Sequence, residues 1–123
     1  MAVRKYDIPV TTTGSAGSAT GEGYATLGRG ELLALHFDYH ASAPATTDVV
    51  VSLPGEPSAQ TVLTVNNTGT DAWHYPSVAL SNASGVADAT RVPPVVQGGA
   101  VKVAVTGCDA LTEAVSVTAF VRV

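Results

Sequence analysis

At 123 residues the chain has room for one packed core and little more, and 46% hydrophobic against 13% charged residues excludes a disordered polypeptide. Six Lys and Arg are scattered among ten Asp and Glu, for a net charge of -4. No basic stripe exists to release counterions from a phosphate backbone, so nucleic acid is not an expected partner. Ordinary domains carry about a quarter charged residues, and the shortfall points to a surface partly covered by neighbours.

The opening residues lack the apolar h-region of a signal peptide, and no later run approaches the roughly 18 apolar residues of a membrane span. A chain made in a cytoplasm and independent of membranes is the expectation. Residues 6–13 read as a strand, which Pro9 confines to an edge or a strand start. Residues 14–23 are Gly, Ser, Ala and Thr with Glu22, and two readings of them are open. They form a hairpin loop inside the domain, or they are a hinge that frees residues 1–13 as an extended N-terminal arm adding a strand to a neighbour. In the second reading Tyr6, Ile8 and Val10 are the contact residues. The corresponding division is 1–27 for the N-terminal strand or arm with its Gly/Ser-rich loop, and 28–123 for the main domain.

Residues 31–40 alternate, with Leu33, Leu35, Phe37 and Tyr39 on an expected core face. Residues 47–53 and 61–66 are β-branched and apolar, joined by a turn at Pro54-Gly55-Glu56-Pro57. Asn66-Asn67-Thr68-Gly69 is a tight-turn signal, because Asn and Gly tolerate positive φ. Ala72-Trp73-His74-Tyr75 then opens another extended stretch before Pro76. The last third holds the clearest hairpin: Val101, Val103 and Val105, a connection over residues 106–112, then Val115, Val117, Ala119, Val121 and Val123. Helical periodicity is missing throughout. Short strands with Gly, Pro and Asn turns predict an all-β chain, an antiparallel β-sandwich of jelly-roll or Ig-like type.

Chemistry-bearing patterns are sparse. His36, Asp38 and His40 share one strand face, but the two His are about 13 Å apart at about 3.3 Å per residue, too far to join one ion. No metal or cofactor is expected. Cys108 stands alone in a Gly-Cys-Asp turn with neither a second thiol nor a neighbouring His. Residues 14–23 lack the Gly-Lys-Ser/Thr ending of a phosphate loop and precede no helix, and neither Ser15 nor Ser18 sits in a nucleophile elbow. Asp48, Glu56, Asp71, Asp88 and Asp109 fall mostly at predicted turns, where Asp bonds locally. Asn66-Asn67-Thr68 and Asn82-Ala83-Ser84 match a glycosylation pattern that turn residues also produce by chance. No catalytic constellation can be built, so an enzyme is not expected. Trp73, Tyr75 and Tyr24 are candidates for a sugar-stacking platform, with a core or protein-interface role for Trp73 as the competing reading.

Residues 28–51 (GRGELLALHFDYHASAPATTDVVV), residues 93–107 (PPVVQGGAVKVAVTG) and the closing strand over 115–123 resemble small virion proteins of tailed bacteriophages, above all head decoration (cement) proteins. The resemblance covers about three quarters of the chain and brings no functional residues with it. It implies a β-sandwich on the capsid exterior, present in many copies and clamping the major capsid protein, with other copies of itself, as a trimer at local threefold axes, as further partners. A tail or head-to-tail component is one alternative. A carbohydrate-binding β-sandwich module is another, of a different class. Trp73 and Tyr75 join Tyr6, Ile8 and Val10 as the expected protein-contact residues.

Overall fold

The computed structural model describes residues 2–55 and 58–123. The strands, in chain order, are β1 (Val3–Val10), β2 (Ala19–Thr26), β3 (Arg29–Tyr39), β4 (Asp48–Leu53), β5 (Gln60–Val65), β6 (Ala72–His74), β7 (Val78–Ser81), β8 (Ala87–Val92), β9 (Val95–Gln97), β10 (Ala100–Cys108) and β11 (Val115–Arg122). Two antiparallel sheets face each other. One runs β1-β11-β3-β6, with β9 also pairing β3, and the other runs β2-β10-β4-β5. This is an antiparallel β-sandwich, as the alternation predicts, but the expected terminal hairpin does not form: β10 pairs β2 and β4, β11 pairs β1 and β3, and the connection between them crosses from one sheet to the other.

The core follows from that alternation. Val115, Val117, Ala119 and Val121 of β11 point inward against Val101, Val103 and Val105 of β10, and all seven are fully buried. Each buried Val contributes about 1.5–3 kcal/mol of apolar transfer. Phe37 and Leu35 from β3, and Val49 and Val51 from β4, complete the layer between the sheets.

Of the four register shifts among the described strands, two alter the expected reading. β3 pairs Ala34 with Phe120 and Leu32 with Val121, so Leu33 is the extra residue opposite β11. The inward set is therefore Leu32, Leu35, Phe37 and Tyr39, with Leu33 only half-buried. A period of two cannot show this, because an extra residue flips the faces beyond it. The second bulge extends β10 past the expected connection to Cys108, around Gly107 at φ 64. A Cβ on Gly107 would meet the Thr46 carbonyl oxygen at 2.6 Å, so only Gly fits. Cys108 itself is a buried core residue at the end of a strand.

The opening segment is not an arm. β1 pairs along its whole length with β11 of the same chain, and Ile8 and Val10 are fully buried. Tyr6 is half-buried, and its hydroxyl accepts a hydrogen bond from the Gly28 amide at 3.0 Å. Pro9 sits on an edge strand, where its missing N–H costs no ladder bond. Residues 14–18 form the turn, closed by the Thr13–Thr20 bridge. Since β1 and β2 supply one edge strand to each sheet, residue 27 is not a boundary between packing units.

β7 and β8 form a separate two-stranded ribbon and, among the described residues, pair only with each other. Its tip is organised by Asn82, whose side-chain oxygen accepts from the Ser84 and Val86 amides, with Gly85 at φ 77. At its base Arg91 donates to the Ser77 hydroxyl and carbonyl, both at 2.7 Å. Asn67, at φ 54, adopts the left-handed conformation expected of the turn before β6. Glu56 and Pro57, the second half of the expected Pro/Gly turn between β4 and β5, lie outside the described residues.

Candidate functional site

The outer face of the β1-β11-β3-β6 sheet carries the exposed aromatic residues Trp73 and Tyr75. Because Val115, Val117 and Ala119 of β11 face inward, Ser116, Thr118 and Phe120 face outward. Register carries the outward set across the sheet: Asp7 opposes Thr118, Thr118 opposes His36, and His36 opposes Trp73. A second row sets Lys5 opposite Phe120 and Phe120 opposite Ala34. The sheet thus orders polar and aromatic groups that are far apart in sequence.

Trp73 is 52% exposed and Tyr75 71% exposed. Their rings lie 12° from parallel with centroids 6.5 Å apart. Beneath and beside the indole, His36 lies at 4.7 Å and Phe120 at 5.3 Å between ring centroids. The short strand β6 explains the alternation, since Trp73 turns outward while His74 turns inward, edge-on to Phe37 at 4.9 Å. Partial burial of the His74 ring lowers its pKa by disfavouring the charged form. Thr118 donates to an Asp7 carboxylate oxygen at 3.0 Å, fixing one polar group of the row. Arg122 and Glu31 close the far end of β11 and β3, with Arg122 Nε and Nη2 donating to the same carboxylate oxygen at 3.1 and 2.7 Å.

The remaining predicted positions fall elsewhere. Tyr24 lies on β2, in the other sheet, so it does not extend the Trp73–Tyr75 surface. Its hydroxyl donates to Glu22 at 2.9 Å, and with Lys102 at 3.3 Å from Glu22 it holds that carboxyl below its usual range. Glu22 in turn raises Lys102. Of the expected contact residues, Ile8 and Val10 are shut in the core and offer no partner surface, while Trp73 and Tyr75 are open. Phe120 and His36 are the members of the aromatic surface that linear reading missed, because only β-sheet register places them beside Trp73.

His36 and His40 are not brought together, since His36 packs on Trp73 and the His40 Nδ1 accepts from the Ser42 amide at 3.0 Å. Among the described residues no three His, Cys, Asp or Glu side chains converge. Three turn carboxylates tie distant segments instead of their own turns: Asp48 accepts from the Asn67 amide, Asp71 from Tyr39 and Asp109 from Gly17. An open groove of about 480 Å³ runs beside β9, lined in part by Leu53, Ala59, Val95 and Val96. Among the described residues no helix is long and apolar enough to cross a membrane.

No family profile matches the chain, and no curated protein matches it in sequence. Among solved structures, it is similar to variants of CBM29-2, a family 29 carbohydrate-binding module. Two of these share 10% identity, with a TM-score of 0.40, over 98% of this chain and 81% of the other. A further structure described as a family 29 carbohydrate-binding module shares 10% identity at a TM-score of 0.38, over 95% of this chain and 73% of the other. Likeness at this level carries no conclusion about ligand or partner.

Proposed function

We propose that the chain is a non-catalytic structural protein of a virion, a decoration protein bound to the outer surface of the major capsid lattice. The observation that carries this reading is the β7-β8 ribbon. An isolated two-stranded ribbon is marginal in water, yet this one stands apart from both sheets with Leu80 42% and Val86 59% exposed. Such an element gains its packing when the protein is assembled. The virion resemblance of residues 28–51 and 93–107 supports the capsid lattice as its partner. The attachment element is then the ribbon in place of the N-terminal segment. Binding that favours the assembled lattice over free subunits stabilises the lattice by mass action, and many weak contacts add up.

The test is to mix the purified protein with capsids lacking it, count bound copies by gel densitometry, and follow the particle disruption temperature. Saturation at many copies with a raised disruption temperature is expected, together with loss of binding when residues 78–92 are replaced by a short Gly-Ser linker. A handful of copies per particle would move the protein to the portal vertex or tail, and no binding would remove the virion reading. A second reading, a carbohydrate-binding module, is favoured by the exposed Trp73 and Tyr75 rings.

A further inference from the structure

We infer that the outer face of the β1-β11-β3-β6 sheet binds a neutral glycan, with Trp73 and Tyr75 as its stacking platform and the Asp7-Thr118-His36 row as its hydrogen-bonding track. This deepens the second reading above and rests on it. Pyranose rings present a patch of C–H groups on one face and a rim of hydroxyls at the edge. The apolar patch suits an aromatic ring, and the hydroxyls suit groups that both give and accept protons.

Both requirements are met side by side here. The two aromatic rings are half or more exposed and nearly parallel. Trp73 is braced by His36 and Phe120, so little side-chain freedom is left to lose on binding. From the platform, the row His36, Thr118, Asp7 crosses the sheet with an imidazole, a hydroxyl and a carboxylate, one per strand. Four strands span about 14 Å, at about 4.8 Å between neighbours, which is enough for a short oligosaccharide.

Composition argues against a protein as occupant of this face. A stable protein interface buries about 800 Å² per partner around an apolar centre. Away from its aromatic end this surface is mostly polar, with Ser116, Thr118, Asp7, Asp38, Lys5 and the Glu31–Arg122 ion pair, and its apolar members Pro9 and Val3 are separated along β1. Asp7 and Asp38 suit sugar hydroxyls and outnumber Lys5, the Glu31–Arg122 pair being self-compensating, so the face disfavours uronic and other acidic residues and the class is neutral.

Trp73 is the single tryptophan, so emission excited beyond the tyrosine absorption band reads this site alone. The full chain is titrated with cellohexaose, mannohexaose, maltohexaose and chitohexaose at millimolar concentration, with oligogalacturonate as the acidic control. Calorimetry is run in parallel on the parent, Trp73→Ala and Tyr75→Ala, each with its thermal midpoint measured. The expected result is a saturable change in emission with at least one neutral oligosaccharide and none with the acidic one. Affinity should fall more than about tenfold in both variants, with thermal midpoints held close to the parent's. Binding by calorimetry that both folded variants retain would keep the carbohydrate-binding reading and overturn this site. Absence of heat and of emission change with every sugar would overturn both. Self-association that buries Trp73 as protein concentration rises would assign the face to a second copy and likewise overturn the proposal.

Discussion

Tyr39 shows how a single side chain carries a cost within the core. It is 7% exposed, and among the described residues its hydroxyl is the buried side-chain polar atom without a hydrogen-bond partner. Burial, assisted by the nearby Asp71 charge, pushes its pKa up to about 12, against about 10 in an unfolded chain. Because the folded value is the higher, the neutral phenol's contribution is complete below about pH 10 and is lost as pH rises toward about 12. Tyr39→Phe removes both the orphaned hydroxyl and this titration. Its stability at neutral pH should equal the parent's or exceed it by up to about 1 kcal/mol, and its urea midpoint should fall less between pH 10 and 12. A lower neutral-pH midpoint in the variant would show that the hydroxyl has a partner. Leu32 and Leu33 make a complementary point: both are apolar and adjacent, and the bulge decides which one enters the core.

Strand by strand, the consequences of removal differ. Deleting residues 1–13 takes Ile8 and Val10 out of the core, at about 1.5–3 kcal/mol each. That sum, about 3–6 kcal/mol, reaches the lower end of the roughly 5–15 kcal/mol stability of a whole domain, and the deletion also exposes the β11 edge. The truncated chain should lose its cooperative thermal transition in circular dichroism, and a retained sharp melt would mean β1 is dispensable. The β7-β8 ribbon is the opposite case, because neither strand pairs with the sandwich. Replacing residues 78–92 by a Gly-Ser linker should leave the thermal midpoint within a few degrees of the parent, which is what about 1 kcal/mol is worth in a domain of this size. A large drop would show that the ribbon packs on the sandwich. The two terminal strands were legible because Val alternation over residues 101–105 and 115–123 leaves only one inward face, but their placement in opposite sheets was not, since the same alternation suits a hairpin and a crossing between layers. The ribbon was not legible: Val78–Ser81 and Ala87–Val92 are short and largely exposed, so no burial pattern marks them.

For the molecule as a unit, the two sheets close around one core that includes Cys108, with no exposed surface. Its thiol should react with a thiol reagent only through opening of the sandwich, at a rate that rises with urea in step with global unfolding. Labelling as fast as that of a small free thiol would show that the β10 end opens locally. The fold class followed from composition and from period-two alternation, because each strand's inward face is a local property of its own residues. The turn at Asn67 and the edge position of Pro9 were local too, since they express backbone preferences of single residues. The aromatic surface was half visible: Trp73 and Tyr75 stand together in the chain, but His36 and Phe120 join them only through pairing across β6, β3 and β11. The fate of residues 1–13 was not local at all, since an edge strand and a free arm have the same sequence pattern. What settled it was the unpaired edge of β11 within the same chain, at the far end of the sequence, where β1 completes the sheet and seals the core.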